Sequence, residues 1–356
     1  MTGGATAVLL SGGVDSSVAL RLLRDEGRDL RAFYLKIWLE DDLSFLGACP
    51  WEEDIRFARA VCEAAGAPLE VVPLQTEYHR RVVDDAIAEL RRGRTPSPDI
   101  FCNQRIKFGA FLERIGGSFD EVATGHYART LRDGGGPIRL ARGADRLKDQ
   151  TYFLSRLDQR QLERCAFPIG HLSKSEVRAL AAEHRLPNRD RRDSQGLCFL
   201  GKIEFEAFVR SHLGERPGPI LERDTGRLLG EHRGYWFHTI GQRRGLGLSG
   251  GPWFVVGKDI EENAVWVSHA DDLPAHGRRE LDVEDLHWIA GRPPALPRDD
   301  LQAKVRHGER LHACRLEPAG GGRLRVTLDS PDTGLAPGQY AVFYDGEVCL
   351  GAGRMV

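Results

Sequence analysis

The chain lacks any apolar run long enough to cross a membrane. Its early apolar stretch, residues 5–10, is broken by Thr6 and falls far short of the roughly 20 residues that a span requires. No charged region precedes it, so a secretory leader is not expected. Positive charge is not in excess either. Lys and Arg number 50 against 52 Asp and Glu, leaving a net charge of -2 over 356 residues. That balance excludes a uniformly basic nucleic-acid binder and leaves room for local basic patches. The seven cysteines are odd in number, and Cys49, Cys62, Cys165, Cys314 and Cys349 form no C-x-x-C pair. Neither a secreted disulfide framework nor a structural zinc site is expected. The compartment that follows is the cytoplasm, where a disulfide would be catalytic rather than structural. No internal repeat or long low-complexity tract is present. With 41% hydrophobic and 29% charged residues, the chain has globular rather than disordered composition.

What is present changes texture along the chain. Ala7–Leu10, Ala32–Leu35 and Leu69–Val72 read as strands. Asp15–Glu26, closed by Gly27, and Glu52–Ala65, stopped by Gly66 and Pro68, read as helices. Ser173 with Glu176 forms a capping-box pattern before a helix reaching His184. This alternation predicts an α/β domain with a parallel sheet, whose ligands lie at the carboxyl ends of the strands. Past about residue 200 glycine and proline become frequent. From about Leu281 short alternating runs (Gln302–Val305, Leu311–Leu316, Leu324–Leu328, Ala341–Tyr344, Glu347–Leu350) predict a small antiparallel barrel or sandwich. The expected domains are 1–200, 201–272 and 273–356.

The string Leu9-Leu10-Ser11-Gly12-Gly13-Val14-Asp15-Ser16 joins the first strand to the first helix. Adjacent glycines let backbone N–H groups approach an anion, the helix N-terminus adds its dipole, and the serines add hydroxyls. Asp15 could hold a magnesium ion that neutralises phosphates. The lysine of a G-x-x-x-x-G-K-[ST] loop is missing, which excludes the usual kinase or GTPase site. A serine-capped Gly-Gly turn is the plainer alternative. Two cysteines have distinctive settings. Ser97–Asn103 precedes a helical stretch, Gln104–Arg114; if Asp99 is the N-cap of a helix that starts before Gln104, Cys102 lies at the third helical position, where the helix end favours a thiolate and the Asp99 carboxylate opposes it. Cys198 follows Arg189, Arg191 and Arg192. For each, a small buried cysteine is the simpler reading. His126 follows the strand Glu121–Ala123, again at a carboxyl end. Basic runs at 129–148, in a hairpin or loop, at 185–192 and at 304–315 suit a track for an RNA backbone, or else a solvated surface.

Taken together, the motifs resemble those of the tRNA-specific 2-thiouridylases, within the PP-loop ATP pyrophosphatases. They are S-G-G-V-D-S-S-V at 11–18, R-T-P-S-P-D-I-F-C-N at 94–103, A-T-G-H-Y-A-R at 123–129, K-D-Q-T-Y-F-L at 148–154, D-S-Q-G-L-C-F-L-G at 193–201, H-T-I-G-Q-R-R-G-L-G at 238–247 and P-G-Q-Y-A-V-F-Y at 337–344. The resemblance implies a PP-loop (adenine nucleotide alpha-hydrolase-like) catalytic domain, a small central domain and a C-terminal antiparallel β-barrel. It implies ATP with magnesium, tRNA as substrate, and a persulfide donor such as a cysteine desulfurase or sulfur-relay protein. Leu9 to Ser16 would hold ATP, with Leu35 and Gly125 flanking the nucleotide. Ser97, Pro98 and Asp99 would meet the target base. Lys148, Asp149, Gln150, Arg306 and His307 would touch tRNA, and His126 and Gln339 are further matching positions. Cys102 and Cys198 match the paired active cysteines, and Asp99 would accept or orient a proton. Ser97 stands where the family has Asn, and Leu10 and Leu35 stand where it has Met. The alternatives are another adenylating PP-loop synthetase that forms C–N bonds, which needs no cysteine pair, or a non-catalytic tRNA-binding protein.

Overall fold

The computed structural model describes residues 5–37, 51–132, 134–192 and 205–356. In chain order the first region contains β1 (Thr6–Leu9), α1 (Val14–Asp25), β2 (Leu30–Lys36), α2 (Trp51–Ala65), β3 (Leu69–Pro73), β4 (Glu121–Ala123), the hairpin strands β5 (Ala128–Leu131) and β6 (Arg139–Arg142), β7 (Cys165–Ala166) and α3 (Lys174–Glu183). Strands β3-β2-β1-β4-β7 form one parallel sheet. Ala7, Val8, Val122 and Ala123 are fully buried, as befits strands covered on both faces. The chain runs outwards from β1 in both directions, so the carboxyl ends of β1 and β4 flank a topological switch point. Gly27, at φ +75°, ends α1. The capping box expected at Ser173 is present, with Ser173 accepting from Glu176 N and the Glu176 side chain accepting from Ser173 N.

The central region is a four-stranded sheet of β8 (Gly218–Glu222), β9 (Leu228–His232), β10 (Trp253–Asp259) and β11 (Ala264–His269), in the order β10-β11-β8-β9. The last region comprises β12 (Arg278–Trp288), β13 (Arg298–Lys304), β14 (His312–Gly320), β15 (Arg323–Asp332), β16 (Tyr340–Asp345) and β17 (Val348–Met355). Because β12 pairs with both β15 and β17, these strands close into an antiparallel barrel. The hairpin β5–β6 is joined to it: β6 pairs with β17 through Val348↔Ala141 and Cys349↔Leu140. The basic segment expected as a hairpin or loop is therefore a hairpin sewn onto the barrel's last strand. One apolar cluster continues across all three regions, through Ile100, Phe101, Tyr152, Tyr235, Trp236, Tyr340 and Tyr344. Among the described residues no helix is long and apolar enough to cross a membrane.

Candidate functional site

The loop after β1 is shaped by its glycines. Gly12 has φ +75°, and a Cβ there would lie 2.4 Å from Asp54 O. Gly13 occupies the cap position of α1 without a side-chain cap, so the first-turn amides have no capping acceptor competing with a ligand. Gly125, just past β4, lies directly over that turn: a Cβ would fall 2.5 Å from Ser16 N. The hydroxyls tie the loop together, Ser16 Oγ donating to Gly13 O at 3.1 Å and Ser17 Oγ to the same carbonyl at 2.9 Å. From behind, Asn188 Nδ2 donates to Gly12 O at 2.8 Å and to Ser17 Oγ at 2.9 Å. Arg191 Nη1 donates to Gly12 O at 3.0 Å and pairs with Asp54. Leu10 N donates to Phe33 O at 2.9 Å, and half-buried Leu35 is on the neighbouring β2. The result is a loop braced from both sides at the switch point, with the glycine backbone and uncapped helix start that suit an anion. Asp15 Oδ1 accepts from Tyr127 Oη at 3.0 Å and from Lys174 Nζ at 2.7 Å.

Lys174 was invisible as a site residue in the sequence because 159 positions separate it from Asp15. The one local clue was its place just inside the capping box at Ser173. Its ammonium brings to the edge of the cradle a cation that pairs with the loop's own Asp15 carboxylate. His126 is buried at 8% exposure, and its Nδ1 shares a 2.6 Å hydrogen bond with Thr124 Oγ1. Burial, and after it the Lys107 ammonium, holds its pKa well below the usual 6.5.

The thiol segment differs from expectation at its start. Ser97, not Asp99, takes the cap position, with Pro98 opening a helical turn, Pro98–Phe101, and Asp99 in its first turn. Proline favours that opening because its missing N–H would be unpaired there anyway. A π-helical stretch, Cys102–Ala110, follows directly. Cys102 thus lies one full turn into the helix, 1% exposed among the apolar residues. Asn103 Nδ2 donates to Asp99 O at 3.0 Å. Cys198 lies outside the described residues, and so does its pairing with Cys102.

All three regions meet beside this segment. Thr95 N donates to Pro337 O at 2.7 Å, and Thr95 Oγ1 donates to Thr239 Oγ1 at 3.3 Å. Gly338 has φ +93°, and a Cβ there would come within 2.7 Å of Arg94 Cβ and 2.8 Å of Thr95 O. The next residue, Gln339, is held within the barrel, its carbonyl accepting from Met355 N at 2.8 Å. Asp149 is 1% exposed, and its carboxylate accepts from Lys304 Nζ at 2.8 Å, Thr151 Oγ1 at 2.8 Å and Arg142 Nε at 3.3 Å. Burial alone would raise the Asp149 pKa; the Lys304 ammonium and the Thr151 hydrogen bonds outweigh it and hold the pKa below its usual value. The Lys304 side chain is likewise fully buried. This pair therefore fastens the barrel to the first region, and the Asp149 carboxylate faces inwards. Its neighbour Gln150 accepts from Tyr127 N at 3.0 Å through Oε1, so a bonded path runs from Asp15 through Tyr127 to the barrel. Lys148 is half-buried alongside. His307 packs on Phe153 at 4.5 Å between ring centres. Burial and Lys304 lower its pKa, against the opposing pull of Asp149 and Asp99, with Lys148 adding to the lowering. Asp99, Lys148, Asp149, Lys304 and His307 thus share one electrostatic environment.

The basic runs are partly engaged within the protein. Arg129 and Arg146 both pair with Glu347, Arg142 is buried against Asp149, and Arg132 donates to the carbonyls of Leu162 and Glu163. Arg306 forms a two-pronged pair with Asp332 at 2.8 and 2.7 Å, and Arg315 pairs with Glu317. Arg191 braces the phosphate loop. Much of the charge that suggested an RNA track is neutralised within the protein.

Comparison with known proteins accounts for all three regions. Residues 5–202 match the family model described as the tRNA methyl transferase HUP domain, 206–269 the tRNA methyl transferase PRC-barrel domain, and 278–355 the aminomethyltransferase beta-barrel domain. The chain is 46% identical over 353 residues to tRNA-specific 2-thiouridylase MnmA 1 of Bacteroides thetaiotaomicron, covering 98% of this chain and 99% of that protein. It is 44% identical over 354 residues to tRNA-specific 2-thiouridylase MnmA of Parabacteroides distasonis, covering 98% of each. A solved 4-thiouridine synthetase–RNA complex with bound ATP aligns at 18% identity with a TM-score of 0.33, over 55% of this chain and 44% of that one, a slight likeness.

Proposed function

The chain belongs to the tRNA-specific 2-thiouridylase family, and from that premise we propose that it replaces the C2 oxygen of the wobble uridine of tRNA with sulfur, converting ATP to AMP and pyrophosphate. The observation that carries this reading is the extent of the relationship, which spans the nucleotide fold, the central sheet and the barrel alike. A C–N-forming synthetase would share only the first of these. The models' description as methyl transferases is disfavoured by the Gly12–Gly13 loop, whose backbone suits the phosphates of ATP.

In this reading Leu9 to Ser16 hold the nucleotide phosphates, with Leu35 and Gly125 beside them, and Lys174 offsets the charge that builds on pyrophosphate as it leaves. Asp15, already engaged by Lys174 and Tyr127, is one carboxylate. No cluster of three metal-ligating side chains occurs among the described residues, so the phosphates themselves would supply most of the ligands of a magnesium ion. The uridine C2 oxygen attacks the α phosphorus, and the bond to the β phosphate breaks. Asp99, with Ser97 and Pro98, orients the base and handles its proton. The outer sulfur of a Cys198 persulfide attacks C2. Cys102 then attacks Cys198 Sγ, so the S–S bond breaks and its electron pair stays with the transferred sulfur. A Cys102–Cys198 disulfide forms, AMP leaves with the former C2 oxygen, and two cellular thiols reset the cysteines. Lys148, Gln150, Arg306 and His307 frame the tRNA, while Asp149 acts through Lys304 to hold that frame together; His126 and Gln339 are further positions of the same site. The test is mass spectrometry of tRNA nucleosides after incubation with ATP, magnesium and a persulfide source. Thiouridine with equimolar AMP is expected; ADP as the product, or full activity in a Cys198→Ser protein, would overturn the reading.

A further inference from the structure

The motif H-T-I-G-Q-R-R-G-L-G links the short turn Tyr235–Phe237 to β10, and no role above accounts for its two arginines. The turn is braced from inside by one half-buried side chain. Gln242 Oε1 accepts from Thr239 N at 2.9 Å, and Gln242 Nε2 donates to Arg244 O at 2.9 Å. The Gln242 backbone closes the same turn, its N donating to Thr239 O at 2.9 Å and its carbonyl accepting from Val255 N at 3.0 Å. Buried Leu246 anchors the exit. Arg243 and Arg244 are both exposed on this frame, and no carboxylate among the described residues pairs with either guanidinium. This contrasts with the arginines of the basic runs, whose charges are largely met within the chain.

The location matters as much as the charge. Thr239 bonds Thr95, two residues before Ser97. A Cβ on Gly241 would lie 3.3 Å from Gly334 Cα, and one on Gly334 would lie 2.5 Å from Arg306 Nη1. The turn therefore borders both the base-contacting segment and exposed Arg306. Two adjacent planar guanidinium groups on a pre-set backbone suit a doubly recognised oxyanion, and little conformational freedom remains to be lost when they bind.

We propose that Arg243 and Arg244 form a phosphate clamp of the central region, gripping the RNA backbone next to the nucleotide that enters at Ser97–Asp99. The proposal rests on the tRNA reading above and assigns to this turn a substantial part of the salt-dependent affinity. The experiment is a titration of the full chain with tRNA across about 50–200 mM salt, comparing wild type with R243A/R244A. Losing two phosphate contacts should reduce the log–log salt slope by about 1.4 and weaken binding roughly 25-fold near 0.1 M salt. ATP affinity should be unchanged, and so should the rate at saturating tRNA. R59A/R292A, which removes the same charge from exposed positions elsewhere, should keep the wild-type slope. Gln242→Leu, which keeps both charges and removes the brace, should weaken binding with a near-wild-type slope. An unchanged slope and affinity in R243A/R244A overturns the clamp, including an outcome in which only thiolation with a protein sulfur donor falls. Failure of the wild-type chain to bind tRNA would instead overturn the reading on which the clamp rests.

Discussion

The phosphate cradle and the thiol segment are built in opposite ways. The cradle comes mainly from one contiguous loop, whose shape follows from two glycines and the start of a helix; distant residues such as Asn188 and Arg191 only brace it. The thiol segment has no such autonomy. Residues 94–97 are held by the barrel through Pro337 and Gly338 and by the central region through Thr239. Nucleotide binding should therefore tolerate damage to the domain contacts, whereas sulfur chemistry should not.

Breaking the barrel contact has the largest expected effect. Lys304→Met leaves the Asp149 carboxylate buried without its closest cation, at a cost of about 3–5 kcal/mol. Urea unfolding at neutral pH should show that loss, and adding Asp149→Asn should recover part of it. A loss under about 1 kcal/mol would mean that the pair does not fasten the barrel. On the cradle side, Gly125→Ala forces a methyl group against Ser16 N. Strain of about 1–3 kcal/mol should weaken ATP roughly 5- to 150-fold by calorimetry, with tRNA affinity intact. Parallel loss of both affinities would erase the contrast between the two regions.

Lys174→Ala sharpens the comparison further. Loss of a charge-assisted contact of about 1.5 kcal/mol should weaken ATP and pyrophosphate roughly tenfold, with AMP little changed. An equal loss for AMP would place Lys174 in a purely structural role through Asp15. The smallest effect concerns pH. His126 is held neutral in the fold, its pKa lowered by burial, whereas the unfolded chain takes up a proton near pH 6.5. Stability is thus fully present above that value and falls as pH drops below it, by at most about 1.4 kcal/mol per pH unit. His126→Gln should flatten that slope in urea midpoints between about pH 6.5 and 5; an unchanged slope would mean that the ring is protonated in the folded state.

The sequence by itself determined the elements whose information is local. The parallel α/β alternation, the Gly12–Gly13 loop, the box at Ser173 and Glu176, and the short barrel strands all follow from periodicity and turn chemistry over a few residues. Helix entry at Pro98 was equally local, and the Ser97 cap was missed only because Asp99 is an equally good capping residue. Other features depended on partners far away in the chain. A run of arginines looks the same whether it faces solvent or a carboxylate, and only the fold brought Glu347 to Arg129 and Arg146, 218 and 201 positions away. Asp149 was expected to touch tRNA beside Lys148, and only the fold, by placing Lys304 of β13 against it, turned its carboxylate inwards. Lys174 entered the cradle, and Gly338 came to need its missing Cβ, only when separate elements packed together. Burial and charge neutralisation are properties of pairs of segments, so tertiary packing decided which charges this protein keeps for itself and which, such as Arg243 and Arg244, it leaves for a ligand.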